Sequence, residues 1–189
     1  MVAADSGADV ALGLGLEVDV LVGDLDSISS TGRRAVEEGG ATVEAHPEAK
    51  DETDLDLALQ AAIQRGATEV VVLGGAGGRL DHLVAGVLLL GIDGLRGTDV
   101  TAVLGDAVIT VVRGNRPRIL HGEAGDLVTL LAIGGPALGV RTDGLAWRLG
   151  GDTLDTGSSR GVSNVLEGTS ATVATTGGVL LVVQPGPER

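Results

Sequence analysis

Val20-Leu21-Val22-Gly23-Asp24-Leu25-Asp26-Ser27-Ile28 is the stretch from which the rest of this chain is read. Residues 20–22 form a short apolar run, the pattern of a parallel strand buried on both faces. The run breaks at Gly23 and releases two carboxylates one residue apart, followed by a hydroxyl. In open α/β sheets, ligands sit beyond the carboxyl ends of the strands, so this pair falls where chemistry is usually done. Two close carboxylates repel, which favours a divalent cation or a raised pKa. Magnesium with substrate phosphates suits such a pair, because the ion is hard, keeps waters and uses few protein carboxylates. Gly and Asp are also ordinary strand-exit residues, and a plain turn remains the competing explanation of this stretch.

Upstream, Val2-Ala3-Ala4 reads as a strand, Asp5-Ser6-Gly7-Ala8 as a turn, and Asp9 to Leu14 as a short helix closed by Gly15. Downstream, Ser29 or Ser30 can cap a helix running through Glu38 to a Gly39 stop. Ala41 to Ala45 is a strand ended by His46-Pro47. Thr53 and Asp56 form a capping-box-like pair. The helix after it sets Leu55, Ala58, Leu59, Ala62 and Ile63 on one core-facing stripe. Glu69 to Leu73 reads as a buried strand, followed by a glycine loop at 74–78 and an apolar helix to about Leu90. Val100 to Leu104 and Val108 to Val112 are further strands. Helical periodicity stops at Arg113-Gly114-Asn115-Arg116-Pro117-Arg118. Short β-like runs follow at Leu127 to Ile133, Gly144 to Leu149, Ala171 to Thr175 and Val179 to Val183. The expected architecture is an α/β domain with a mainly parallel sheet over residues 1–112, then a small all-β sandwich over 113–189.

Hydrophobic residues make up 43% of the 189 positions and aromatics only 1%, so the core is built from Val, Leu, Ile and Ala. A net charge of −13 supplies no basic field for nucleic acid or a membrane surface. A nucleotide substrate stays compatible, since a bound metal inverts the local sign. With no cysteine, disulfides, thiolate zinc sites and cysteine nucleophiles are excluded, and a cytoplasmic setting fits. The N-terminus carries no signal-peptide pattern. The longest apolar run, Leu83 to Ile92, is about half of the ~20 residues a membrane span needs.

The remaining candidate groups each have a structural explanation beside the functional one. Asp54 in the first turn of its helix gains about 0.3–1 kcal/mol from the helix dipole alone. Lys50 and Asp51 serve equally well as loop charges. The loop containing Gly75, Gly77 and Gly78 follows a strand and opens a helix, as phosphate cradles do. Leu80 stands at the third glycine position of a dinucleotide fingerprint, and no Gly-Lys-Ser/Thr follows, so neither standard motif is met. Arg79 can hold phosphate bidentately or pair with Asp81. Asp81-His82 is either a helix cap or a base and its neighbour, and His46 and His121 are loop residues. Trp147, the sole aromatic, is a rim or core residue or a stacking face for a flat cation. Ser163-Asn164 is a turn or a ligand contact. The basic run at 113–118 reads as a solvated hairpin or linker, with a phosphate contact as the alternative.

In this order, Ala4-Asp5-Ser6-Gly7-Ala8, Gly23-Asp24-Leu25-Asp26-Ser27-Ile28, Lys50-Asp51-Glu52-Thr53-Asp54, Gly77-Gly78-Arg79-Leu80-Asp81-His82, Gly144-Leu145-Ala146-Trp147 and Gly161-Val162-Ser163-Asn164 resemble the motifs of the thiamine pyrophosphokinase family. Each is weak alone, but six in register across nearly the whole chain are specific. The resemblance implies an α/β nucleotide domain, a β-sandwich that binds thiamine, and a homodimer with active sites between subunits. It implies that Asp24, Asp26 and Asp54 hold Mg2+ on the phosphates of ATP, and that Asp81 helps orient the reactants. Asp5, Ser27, Lys50, Asp51, Thr53, Gly75, Gly77, Gly78 and Arg79 would line the ATP and phosphate site. Ser163, Asn164 and, from the neighbouring subunit, Trp147 would receive thiamine. The implied reaction moves a diphosphate from ATP to the thiamine hydroxyl and releases AMP. Any general base would be Asp81 or Asp5. The sequence departs from the family twice. The family's usual chain begins with another strand and helix, whereas Met1 stands directly before the first motif, so one strand and a nearby ligand loop are expected to be missing. Ser6 replaces a usual glycine, where it is expected to restrict φ.

Two rivals remain at this stage. Asp24-x-Asp26 after a strand also fits haloacid-dehalogenase-type phosphatases, with Asp24 as nucleophile, and the metal-binding Asp-x-Asp of glycosyltransferases. The phosphatase pattern calls for Thr or Val where Ile28 stands, and for a later paired-Asp motif that is not cleanly present. A non-catalytic relative acting as a binding or assembly module is the second rival, although such a relative would be expected to shed its metal carboxylates first.

Overall fold

The computed structural model describes residues 1–75 and 77–187. They fall into two compact units, residues 1–68 and 69–189.

The first unit is a pair of βαβ crossovers and a closing helix. Its elements are β1 (Val2–Ala4), α1 (Gly7–Gly13), β2 (Val20–Gly23), α2 (Ser30–Glu38), β3 (Thr42–Ala45) and α3 (Asp54–Gln64). The three strands are parallel in the order β1-β2-β3, with Ala3 opposite Leu21 and Gly23 opposite Ala45. All four residues of β2 are buried, which is why its sequence is continuously apolar rather than alternating. Successive side chains still point to opposite faces. Leu21 packs with Ala8 of α1 and Val36 of α2, while Val20 and Val22 pack with Leu57 and Ala61 of α3.

The helix starts follow local chemistry. Ser29 caps α2, its side chain accepting from the Gly32 N–H at 2.9 Å, and Thr53 caps α3, accepting from the Asp56 N–H at 3.3 Å. The buried stripe of α3 is Leu57, Ala58, Leu59 and Ala61, turned from the predicted one, which leaves Leu55, Ala62 and Ile63 half-buried. This helix is apolar around much of its circumference, so spacing alone underdetermines which side meets the sheet. Ser6 sits at an unstrained φ of −57°, so its replacement of glycine costs nothing there. The left-handed residue of that turn is Asp5, at φ 41°.

The second unit comprises β4 (Glu69–Gly74), α4 (Leu80–Leu89), β5 (Asp99–Leu104), β6 (Ala107–Arg113), β7 (Arg118–His121), β8 (Leu127–Asp143), β9 (Gly150–Leu154), β10 (Asn164–Val165), β11 (Ser170–Ala174) and β12 (Gly177–Gln184). Its strands run in the order β4-β5-β6-β12-β8-β11-β7, with β9 and β10 also pairing to β8. Only β4–β5 is parallel; the pairings from β5–β6 onward are antiparallel.

The organising strand is β8. Thr129 to Ile133 pair with β12, and after Gly134 (φ 67°) and Gly135 (φ 146°) the strand goes on to pair with β9 and β11. One strand thus lines both sides of an aliphatic core that includes Leu120, Leu130, Val140, Leu154, Val173 and Leu180. The fold class read from the sequence, α/β followed by an all-β sandwich, is the one observed.

Two local readings change. β4 forms, but only one of its faces is partly covered: Val71 and Leu73, two residues apart on the other face, are exposed rather than buried. Gly144 to Leu149 is not a strand. Gly144 takes φ 78°, and the β-type pairing of the segment is an isolated Leu145–Leu166 bridge.

Candidate active site

The acidic residues meet where β1 and β2 end. Gly23 closes β2 at φ 144°, and a Cβ there would lie 3.1 Å from Asp54 Oδ1 and 3.2 Å from Asp5 Cβ. Only a residue without a side chain lets the three segments approach this closely. Asp5, 5% exposed, uses both carboxylate oxygens on the next loop: Oδ1 accepts from the Ile28 N–H at 3.0 Å and Oδ2 from the Ser27 N–H at 3.2 Å. Burial, its largest influence, raises the Asp5 pKa above the ordinary carboxylate value against the lowering effect of those two N–H donors. Leu25, between the paired acids, is held at φ 64°. The Ser27 hydroxyl donates to Asp26 at 2.7 Å, and the Asp26 N–H leans on Asp24 Oδ1 at 3.4 Å. Asp5, Asp24 and Asp26 each present one oxygen within 4.8 Å of the others.

Asp54 approaches the same cluster from the start of α3, and Lys50 stands between it and Asp24. Lys50 Nζ lies 3.0 Å from Asp24 Oδ2 and 2.9 Å from Asp54 Oδ1, with its own side chain 10% exposed. Hydrogen bonding to Lys50 lowers the Asp24 pKa, and contact with Asp54, then with Asp24, raises that of Lys50. Asp54 Oδ1 is itself buried, and the Lys50 ammonium is the partner that meets its charge. The candidate metal acids Asp24, Asp26 and Asp54 therefore gather at one rim. Asp5 joins Asp24 and Asp26 as the tightest trio, and Lys50 serves as an internal cation. A hard divalent ion fits this donor set, because all the candidate ligating atoms are carboxylate oxygens. Asp51 is exposed, and the Thr53 side chain is used in capping α3.

In the second unit, Arg79 and Asp81 grip each other bidentately, at 3.2 and 2.6 Å, on an exposed helix start. The guanidinium pulls the Asp81 pKa down to about 2. Gly75, Gly77 and Gly78 are exposed, Gly78 at φ 88°; Ala76 of the predicted glycine loop lies outside the described residues. Trp147 is 62% exposed. The buried Asn164 side chain holds that segment, accepting from the Trp147 N–H at 3.0 Å and donating to its carbonyl at 2.8 Å. It also accepts from the Val165 N–H at 2.9 Å. Ser163, exposed and at φ 58°, donates its N–H to Thr129 at 3.1 Å. Gly161 is required just before it, since a side chain there would collide with the Leu130 carbonyl oxygen.

Among the described residues, the non-glycine positions at positive φ are Asp5, Leu25 and Ser163, all of them in the candidate motifs. Strain held by surrounding structure concentrates at functional sites. One supporting residue escaped sequence reasoning. Asp9 accepts from the Ser29 N–H at 2.7 Å and the Ser29 hydroxyl at 2.6 Å, locking the α2 cap behind the acidic loop. Its only local signal is an acid in the first turn of α1.

An acidic cluster at the exit of a parallel strand, followed by a mostly antiparallel unit presenting an exposed indole, defines the class: a small α/β unit joined to a β-sandwich. The description "Thiamin pyrophosphokinase, catalytic domain" matches residues 1–93, and "Thiamin pyrophosphokinase, vitamin B1 binding domain" matches residues 117–180. The chain is 34% identical over 89 residues to thiamine pyrophosphokinase of Bacillus subtilis (strain 168), an alignment covering 47% of this chain and 42% of that protein. It is 28% identical over 160 residues to thiamine pyrophosphokinase 1 of Oryza sativa subsp. japonica, covering 79% of this chain and 59% of the relative. The crystal structure of a thiamin pyrophosphokinase family protein from Enterococcus faecalis aligns with a TM-score of 0.83 at 26% identity, over 100% of this chain and 88% of that one. The chain belongs to the thiamin pyrophosphokinase family. It spans less than two thirds of the length of either curated relative.

Proposed function

We propose that this protein is a thiamine diphosphokinase: the thiamine hydroxyl attacks the β-phosphorus of ATP, loses its proton, and AMP departs. The observation that carries the reading is the convergence of Asp5, Asp24, Asp26 and Asp54 around Gly23, with Lys50 bridging two of them. Asp24, Asp26 and Asp54 are the proposed Mg2+ ligands, with Asp5 adjoining. The bound ion would neutralise charge on the transferring phosphates.

The chain's own residues do the rest. Asp5 fixes the Ser27–Ile28 backbone so that the Asp24–Asp26 loop keeps its shape. Lys50, already cationic and poised between carboxylates, is a proposed phosphate contact, alongside Asp51, Thr53 and the loop of Gly75, Gly77 and Gly78. Arg79 would exchange Asp81 for phosphate, freeing Asp81 to orient the acceptor. The exposed indole of Trp147 suits a cationic thiazolium face. Ser163 is the proposed hydroxyl contact to thiamine. Asn164 acts chiefly through its hold on the Trp147 backbone. In-line positioning and charge neutralisation are what such a transfer demands. The functional division proposed is 1–112 for nucleotide and 113–189 for thiamine, in a cytoplasmic homodimer with shared active sites. No described helix is long and apolar enough to cross a membrane.

The test is AMP formation, which is expected to require thiamine and Mg2+ together and to vanish in Asp26→Asn with the fold retained. Release of inorganic phosphate from a simple phosphomonoester with no AMP would overturn the proposal in favour of the phosphatase class.

A further inference from the structure

The basic turn of the second unit borders a cavity of about 430 Å³ lined by Arg96, Gly97, Arg113, Gly114, Arg116 and the β12 start at Gly177–Val179. Three guanidiniums converging on one cavity are unexpected in a chain with 13 basic and 26 acidic residues.

Their partners do not balance them. Arg96 pairs with Asp93 at 2.9 Å. Asp99 is shared, 3.1 Å from Arg116 and 3.3 Å from Arg118. Arg113 has no carboxylate partner among the described residues. Its terminal nitrogens donate to the Ile92 carbonyl at 3.1 Å and the Leu90 carbonyl at 2.8 Å, and its buried Nε–H finds no acceptor. These pairs set four guanidiniums against two carboxylates. Capping the carbonyls that follow α4 accounts for two of the five N–H donors of Arg113 and leaves its charge without a direct carboxylate contact. Burial, then Arg96 nearby, lowers the Arg113 pKa, and the more distant charge of Asp93 offsets this only in part. The walls are permissive as well: a Cβ at Gly97 or Gly114 would meet nothing within 4 Å.

We propose that this cavity is a binding site for a multivalent oxyanion of the phosphate class, held by Arg96, Arg113 and Arg116. Guanidiniums recognise such anions through paired, charge-assisted N–H donors. The site draws on none of the acidic residues at the β2 exit, so its test is independent of the proposed kinase activity.

The experiment is calorimetric titration of the full chain with inorganic diphosphate, orthophosphate and acetate, at low ionic strength with EDTA present. A saturable component that depends on these arginines is expected, tightest for diphosphate, weaker for orthophosphate and negligible for acetate, with affinity falling as salt rises. Arg96→Gln with Arg116→Gln changes exposed side chains only and is expected to weaken diphosphate by about tenfold or more. Arg113→Gln is expected to abolish binding, and if it fails to fold the double variant decides. Asp26→Asn is expected to bind as the parent does. Absence of binding at millimolar diphosphate, or equal binding by parent and double variant, would overturn the proposal.

Discussion

Replacing Gly23 by alanine should damage the acidic pocket and the first unit together. The new methyl would lie 3.1–3.2 Å from the Asp54 carboxylate and Asp5 Cβ, at a backbone φ of 144° that side chains rarely accept. The backbone penalty is about 1–3 kcal/mol. Crowding a closely packed point adds a similar amount, about 1–3 kcal/mol. Partial relaxation makes the two overlap, and a net loss of about 2–4 kcal/mol is expected. For a unit of residues 1–68, whose whole stability is on the order of 3–10 kcal/mol, that is a severe change. Relaxation would move Asp54, so divalent-ion binding should weaken as well. Urea unfolding followed by far-UV circular dichroism reads the loss, because α1, α2 and α3 all lie in this unit. Trp147, the one tryptophan, lies in the other unit, so its emission should report a transition largely unmoved. A variant within about 0.5 kcal/mol of the parent, the range of neutral surface changes, with unchanged Mn2+ affinity would refute this view of the pocket.

Other outcomes follow from the same geometry. Lys50→Met removes the cation between Asp24 and Asp54; the ion-free protein should unfold more easily and gain more from Mg2+ than the parent, and equal urea midpoints without Mg2+ would contradict the bridging role. The Asp81 carboxyl should titrate in NMR near pH 2, below its ordinary value. Its folded pKa is depressed, so its stabilising contribution is present above pH 3.8 and lost as pH falls through about 2. High salt or Arg79→Gln should return the midpoint toward 3.8, and a midpoint that stays put would deny the pairing. Thiamine should perturb Trp147 emission. Asn164→Ala, which leaves buried backbone groups unpaired, should lower the stability of the second unit by about 1–3 kcal/mol and blunt that response; an undiminished response would remove Asn164 from its positioning role.

What the sequence disclosed was local. Ser29 and Thr53 announce their helices because a hydroxyl three residues before a free N–H is a short-range event. Val20 to Val22 announce a central strand because burial on both faces leaves no polar position. The gathering of Asp24, Asp26 and Asp54 was legible only through motif order, since nothing in residues 27–53 fixes where α3 begins in space. Lys50 read as a loop charge because its significance lies in two partners, one of them 26 residues away. The latch of Asp5 on Ser27 and Ile28, and of Asp9 on Ser29, was invisible for the same reason. Where two faces of an element are equally apolar, as in α3, spacing cannot choose between them. Whether both faces of a strand are covered cannot be read from its own apolar run either, and so the exposure of Val71 and Leu73 is not legible in the sequence.

The route of β8 has a consequence for how the second unit fails. Its two layers share one uninterrupted ribbon, so neither can peel away while the other keeps its ladder. Loss of pairing near Ile133 would propagate to the segments that carry Trp147 and Asn164. A lesion at the Gly134-Gly135 bend would therefore register at the Trp147 and Asn164 loops without touching them.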